Sequence, residues 1–486
     1  MSHNDPSVTV RADLVASSLP HSYRAHGSAL PPHAFGAAVD SAALAEEFPT
    51  PPRSDAVFAE LHPEELEQLR VARLRETVRR ASNLPFYRER WDEVGLTPED
   101  ITSTSDLAVL PTFDVDDIRQ SLEAAPPFGG HQSAGPGGWA REPHRIQFSG
   151  GTTGVPRPVL YTGADREVGS IMMARTLWAQ DVRPGDVAVV SWGYGPHNAA
   201  TIYTEAMYRW LGVLVIPAST GNVTSSEKQL EYAARYRATT LLATADYLLH
   251  LAKLAEELGY DLQEDFAFRS FPTIGDTDAV EEAWGRPAYN CYGTYEMQTC
   301  AAECRERGGL HVWEDGYILE CVDVDDETVL PEGQRGNLVV TSLYSEAFPL
   351  VRFNTMDLSS LVPTSTSCGC GLPFAKIEGF QGRSDTMVKL RGINVWPEAL
   401  GRITDEDPRT NGEYFCVAER QDGRDFMTVF VEVEGEPAPE LELELADELQ
   451  RRLGVRVDVS ARPAGSLAES TGRGKLSKLR RFEDRR

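Results

Sequence analysis

Between Asp186 and Leu258 the chain alternates short, largely apolar runs with amphipathic stretches, and this alternation restricts the fold more than any other feature. Val187–Ser191, Val213–Pro217 and Thr239–Ala243 read as strands. Thr201–Leu211, Glu227–Tyr236 and Ala245–Leu258 read as the helices that follow them in turn. A strand with no polar face is buried on both sides, and a helix between two such strands is a crossover. The segment therefore predicts a mostly parallel sheet covered on both faces. With 486 residues the chain exceeds what one core can organise, so a second unit is expected.

The pattern changes after Gly382. Glu413–Ala418 and Phe426–Val433 flank the turn Gln421-Asp-Gly-Arg424, a hairpin signal. Leu441–Leu453 is amphipathic and Val455–Ala461 is strand-like, which makes a small α+β unit. Upstream, Leu61–Ser82 has helical spacing, and Gly316–Val324 and Gly336–Tyr344 read as longer strands. The expected organisation is an irregular extension over 1–55, a large α/β domain over 56–384, and a small mobile lid over 385–486.

Gln147-Phe-Ser-Gly-Gly-Thr-Thr-Gly-Val-Pro-Arg157 lies between two β-rich runs, Arg145–Phe148 and Pro158–Thr162. Gly150, Gly151 and Gly154 permit a tight turn in which successive N–H groups converge on an anion. Ser149, Thr152 and Thr153 add hydroxyls and Arg157 a positive charge, so the loop suits a polyphosphate. It is not the common G-x-x-x-x-G-K-[ST] loop, which occurs nowhere in the chain. The formal net charge of −27 disfavours a nucleic-acid surface, so any nucleotide is expected in a local pocket. No apolar run approaches the length of a membrane span. Seven cysteines without a regular framework suit a reducing, cytoplasmic setting.

Four further segments carry chemistry. In Asn290-Cys-Tyr-Gly-Thr-Tyr-Glu296, a carboxylate after a glycine turn suits Mg2+, and Tyr292 offers an aromatic face to a purine. Pro349-Leu-Val-Arg-Phe-Asn-Thr-Met-Asp357 ends an apolar strand on an acid able to accept ribose hydroxyls. Gly382-Arg-Ser-Asp385 marks the junction between the two patterns. Ser470-Thr-Gly-Arg-Gly-Lys475 places a glycine-flanked lysine where a lid could deliver it; read alone, it is a basic tail.

Together and in this order, these segments resemble the adenylate-forming superfamily, most closely its phenylacetate-CoA ligase-like branch, from about residue 60 to the C-terminus. Asn83-Leu-Pro-Phe-Tyr-Arg88, Leu310-His-Val-Trp-Glu-Asp315 and the run from Gly382 to Pro397 add to the resemblance. It implies two steps: a carboxylate attacks the α-phosphorus of ATP to give an acyl-adenylate and pyrophosphate, and a thiol, usually coenzyme A, then displaces AMP. Carried over by position, Ser149 to Gly154, with Arg157, would hold the β- and γ-phosphates. Glu296 would bind Mg2+, Tyr292 would stack on adenine with Gly293 and Thr294 also in the cofactor site, and Asp357 would bind ribose. Arg383 would contact ribose or phosphate, Asp385 would be the hinge, and Lys475 would reach the α-phosphate. Lys475, Glu296 and Thr152 are the implied catalytic residues, and Lys478 is a rival to Lys475.

The chain departs from the pattern at Tyr295, where the family usually has threonine; the phenol would reshape the acceptor pocket. That pocket is expected around Tyr194, His197 and Tyr295, with an aromatic acid as substrate. Cys304 and His311, followed by Cys368-Gly-Cys370, match a closed Cys3His zinc site of structural type, and resemble a zinc-binding branch of the family. Cys300 is the rival ligand, and Cys291, Cys321 and Cys416 read as core. Three alternatives stay open. One is a different acceptor (a carrier-protein thiol or an amine), another is activation of nitrite for diazotisation, and the third is nucleotide binding without catalysis. A homodimer is compatible with the sequence.

Overall fold

The computed structural model describes residues 35, 39–133, 144–149, 156–196, 199–363, 368–384, 388–390, 393–421, 424–473 and 479–486. The chain divides into two compact units. One contains the residues up to Thr355 together with Ser359–Gly379; the other contains Met356–Leu358 and Phe380–Arg486.

The first unit holds β1 (His144–Phe148) and β2 (Pro158–Thr162), an antiparallel pair, and then β3 (Val187–Val190), β4 (Leu214–Ile216) and β5 (Thr240–Leu242). These last three form a parallel sheet in the order β4-β3-β5, as the alternation predicts. The helices that follow them in turn run over Ala199–Glu205, Ser226–Arg235 and Ala245–Glu257. One difference lies in the first crossover, where the expected single α-helix widens into π-helical turns over Ala206–Leu211 before Gly212 ends it in the left-handed conformation.

The larger sheet follows: β6 (Phe271–Thr273), β7 (Ala288–Thr294), β8 (Gln298–Glu303), β9 (Leu310–Val312), β10 (Tyr317–Val322), β11 (Arg335–Ser342), β12 (Phe353–Val362) and β13 (Lys376–Ile377). Its order is β10-β11-β12-β13-β9-β8-β7-β6. The resolved ladders are antiparallel except β6–β7, so the parallel part of the unit is smaller than the crossover pattern alone suggests. Short strands such as Leu310–Val312 offer too few residues for periodicity to register.

The helix Gly163–Ala179 starts at a reciprocal cap. Thr162 Oγ1 accepts from Asp165 N at 3.1 Å, and Asp165 Oδ2 accepts from Thr162 N at 2.9 Å. Every residue from Gly163 to Leu177 is buried, so its charged side chains need partners inside the protein. Arg175, at 1% exposure, donates through Nη1 to both oxygens of the fully buried Asp315, at 2.8 and 3.0 Å. The helix lies close against β8 because Gly169 has no side chain; a Cβ there would stand 2.0 Å from Gln298 Oε1.

The extension expected to be irregular contains helices over Ser41–Glu47 and Arg53–Ala59. Leu44, Phe48 and Phe58 from this region are at most 1% exposed and join the main core. Three buried apolar residues spread over fifteen positions are too sparse to show as a helical period.

The second unit has β14 (Val388–Leu390) and β15 (Ile393–Val395), a small hairpin, and β16 (Thr410–Gln421), β17 (Arg424–Val433), β18 (Asp458–Pro463) and β19 (Phe482–Asp484), ordered β18-β17-β16-β19. β16 and β17 are the hairpin expected around residues 421–424. The helix Pro439–Leu453 lays Leu441, Leu445 and Leu449 onto this sheet and stops at Gly454, φ +72°. Among the described residues, no helix is long and apolar enough to cross a membrane.

Candidate active site and cysteine–histidine cluster

The glycine–threonine loop connects β1 to β2, and its neck is closed by two bonds: Ser149 N donates to Arg157 O at 3.0 Å, and Arg157 N to Ser149 Oγ at 3.2 Å. Below the neck, Gln132 holds β2 by accepting from Leu160 N at 3.0 Å and donating to Pro158 O at 3.0 Å. Gly150, Gly151, Thr152, Thr153 and Gly154 lie outside the described residues. From the neck, Arg157 Nη2 reaches Glu296 Oε1 at 2.9 Å, with the two side chains 15% and 4% exposed. The structure thus brings together two residues that the sequence separates by 139 positions.

Glu296 lies in the turn between β7 and β8. In this turn Gly293 sits where a Cβ would lie 1.9 Å from the carbonyl oxygen of Gln298, so only glycine fits between the two backbones. Gln298 itself has φ +63°, and the pairing register shifts between Tyr292 and Gly293. Tyr161, on β2, donates its hydroxyl to the Tyr295 carbonyl and fixes the peptide just before Glu296. Sequence reading missed Tyr161; its signal was the β2 alternation that turns Val159 and Tyr161 to one face. Tyr292 is 6% exposed, and its hydroxyl donates to Thr355 Oγ1 at 3.2 Å. Thr294 Oγ1 is buried and has no hydrogen-bond partner among the described residues. Burial, and then the neighbouring Glu296, raises the Tyr295 phenol above its usual range, so it is a neutral hydroxyl near neutral pH.

After β3, Tyr194 is 38% exposed and shares a 2.6 Å hydrogen bond with Thr204 Oγ1. His197 lies outside the described residues. Trp192 stacks on Tyr203 at 6.1 Å, and the Tyr203 hydroxyl meets Cys291 Sγ at 3.5 Å. In the second unit, Arg383 Nη1 donates to Asp357 Oδ1 at 2.8 Å across an antiparallel bridge. Asp385 and Lys475 lie outside the described residues.

Cys304, His311, Cys368 and Cys370 converge, with all four ligand atoms within 4.8 Å of one another. Cys304 comes just after β8, His311 lies on β9 opposite Lys376 of β13, and the two remaining cysteines lie in the turn before β13. Cys304 Sγ is 3.5 Å from Cys368 Sγ, and Cys370 Sγ is 3.3 Å from His311 Nε2. These edges are far too long for a disulfide. They approach the sulfur–sulfur edge of about 3.8 Å and sulfur–nitrogen edge of about 3.6 Å of a tetrahedron built on zinc bond lengths. His311 Nδ1 faces the Phe374 carbonyl at 3.3 Å, the kind of contact that turns Nε2 toward a metal. Leu372 N donates to Cys370 Sγ at 3.5 Å. Hydrogen bonding from Cys370, opposed by burial and helped by His311 and Cys368, holds the Cys304 thiol below its usual range. Cys300 is fully buried, and its thiol faces the Tyr292 carbonyl at 3.7 Å.

The family of C-terminal domains of AMP-binding enzymes matches residues 392–486. The fold is similar to that of 2-hydroxyisobutyryl-CoA ligase in complex with R3-HIB-AMP, at a TM-score of 0.75 and 24% identity, over 88% of this chain and 91% of that one. The two-unit fold is that of the adenylate-forming CoA ligases, and the C-terminal match agrees with it. Phenylacetate-coenzyme A ligase of Pseudomonas putida is 33% identical over 84% of this chain and 92% of its own length. The corresponding protein of Aromatoleum evansii is 31% identical over 87% and 95%. The chain belongs to the phenylacetate-CoA ligase family.

Proposed function

We propose that the protein joins an aromatic carboxylic acid to coenzyme A through an acyl-adenylate, at the expense of ATP. The observation that carries this reading is Glu296, a buried carboxylate held against Arg157 at the neck of a polyphosphate-type loop. Ser149, the loop residues Gly150 to Gly154 and Arg157 would hold the β- and γ-phosphates. Glu296 would hold Mg2+, which supplies charge neutralisation of the phosphates when bound. Tyr292 would stack on adenine with Gly293 and Thr294 also in the cofactor site, and Asp357, oriented by Arg383, would accept the ribose hydroxyls. Lys475, brought in by movement about Asp385, would stabilise the negative charge that builds around the α-phosphate. Tyr194, His197 and the neutral Tyr295 phenol would line the acid's pocket.

The test is ATP–pyrophosphate exchange over a panel of aryl and alkyl acids, followed by AMP release on adding coenzyme A. Exchange driven by aryl acids and turnover with coenzyme A are expected. Exchange driven by nitrite alone, or by no acid at all, would reject the reading. Lys475→Ala should lower exchange by about 10²–10³-fold or more. It should spare thioester formation from supplied acyl-adenylate.

The Cys304, His311, Cys368 and Cys370 donor set fits Zn2+, which prefers tetrahedral sulfur and nitrogen ligation. Its role would be to tie β8, β9 and the turn before β13 together. Cys304 lies six residues beyond Gln298, about 20 Å along an extended strand. That separation from the β7–β8 turn supports a structural role and not a chemical one. The seven cysteines form no disulfide, which suits a reducing cytoplasm.

A further inference from the structure

We propose that the Arg157–Glu296 ion pair is an internal counter-ion that couples polyphosphate binding to divalent-cation binding, an inference that rests on the ATP-dependent reading above. Both partners project from backbone that is already fixed. Arg157 stands at a neck bonded in both directions to Ser149, and Glu296 sits within a turn held by Tyr161 and by the Gly293–Gln298 approach. The pair is therefore not two long surface side chains meeting by chance. Arg157 is the one cation paired with Glu296 among the described residues, at 2.9 Å, and Glu296 is only 4% exposed.

A divalent cation arriving alone must take a carboxylate oxygen from Arg157 and then sit beside a guanidinium with little water between them. That like-charge contact makes binding weak. A phosphate group at the loop neck reverses the balance. Arg157 Nε is buried and has no hydrogen-bond partner among the described residues, so the guanidinium has a donor in reserve for an anion. Once Arg157 turns to phosphate, Glu296 is left as a bare buried carboxylate, which a cation relieves. Each ligand thus removes the obstacle to the other, and linkage requires the effect to be reciprocal.

The experiment is a Mn2+ titration of the nucleotide-free full chain, followed by electron paramagnetic resonance, for wild type, Arg157→Gln, Arg157→Lys and the double variant Arg157→Gln/Glu296→Gln. Arg157→Gln is expected to bind Mn2+ roughly 5- to 150-fold more tightly than wild type. Arg157→Lys keeps the charge and should stay weak, and the double variant should lose the gain. Calorimetric titration with inorganic tripolyphosphate, without metal, should show weaker binding to Arg157→Gln. An Arg157→Gln protein with a wild-type melting profile but unchanged or weaker Mn2+ affinity would overturn the proposal. So would a gain that survives in the double variant. No substrate enters these titrations, so they are separate from the exchange assay. A wild type without acid-dependent exchange rejects the ligase reading, whereas normal exchange with unaltered Mn2+ binding rejects the coupling alone.

Discussion

Gly293→Ala measures how strictly the β7–β8 turn depends on one missing side chain. The added Cβ would stand 1.9 Å from the Gln298 carbonyl oxygen and 2.8 Å from its carbonyl carbon, where contacts under 3.0 Å are essentially never found. The obstacle is backbone, so no rotamer change relieves it, and the two strands must separate by about 1 Å or more. Separation weakens the pairing of Gly293 with Thr299 and of Thr294 with Gln298. Two strained or broken hydrogen bonds cost about 1 kcal/mol each, and overpacking adds about 1–3 kcal/mol. The expected loss is about 3–5 kcal/mol, large against a typical stability of about 5–15 kcal/mol but short of unfolding the chain. The same displacement moves Glu296, three residues on, and a misplacement of about 1 Å can lower rate about 10²-fold. Urea denaturation and pyrophosphate exchange give the two readouts. Gly185→Ala is the control: Gly185 has φ +85°, but an added Cβ there would meet no atom within 4 Å, so the change should cost only about 1–2 kcal/mol, from conformation alone. If Gly293→Ala matched this control in stability and retained exchange within threefold (about 0.65 kcal/mol), the close-approach argument would fail.

Asp315→Asn should destabilise by about 3–5 kcal/mol, because it leaves the buried Arg73 and Arg175 guanidiniums without their carboxylate; chemical denaturation measures it. Cys368→Ser should lower the zinc content of the purified protein, by elemental analysis, while Cys300→Ser should not; equal zinc in both would remove Cys368 from the ligand set. Glu167 is buried, and that burial lifts its carboxyl to about 7 despite the opposing Arg209 at 2.5 Å. Its folded value lies above its unfolded one, so its favourable contribution is complete below about pH 4.5 and is lost as pH rises through about 7. Glu167→Gln should therefore flatten the stability profile over this window and gain on wild type at pH 8, as urea midpoints at pH 5 and pH 8 would show.

The sequence announced the elements whose signal is local. The three parallel strands, their crossovers, and the hairpin β16–β17 are patterns of adjacent residues, and hydrophobic period and turn chemistry are sufficient to find them. The Cys304, His311, Cys368 and Cys370 set was legible for a different reason: few residue types ligate soft metals, so composition compensated for a separation of 64 positions between Cys304 and Cys368. What was not legible depends on approach between segments. Gly293 reads as a turn glycine, but the structure gives it a cross-strand contact with Gln298, a residue that carries no motif. Gln298 also meets Gly169 from the buried helix and donates to the Asp165 carbonyl at 3.2 Å, so one unremarked glutamine joins β7, β8 and that helix.

The same limit explains Arg157. In the sequence it is one more cation at the end of a phosphate-type loop, and its natural reading is an anion ligand. In the structure its guanidinium already has an anion, Glu296, and the next ligand must compete for it. A residue type declares which charge it carries, whereas the partner it holds before substrate arrives is fixed by the turn that presents Glu296 and the hairpin neck that presents Arg157. Affinity for a polyphosphate then depends on the free energy of exchanging one buried partner for another, not on the arginine alone. For that reason neutralising Glu296 should strengthen metal-free tripolyphosphate binding, since Arg157 would then have no carboxylate to leave. Glu296→Gln titrated calorimetrically with tripolyphosphate tests this directly: tighter binding than wild type is expected, and weaker binding would mean that Glu296 orients Arg157 for the phosphate and does not restrain it.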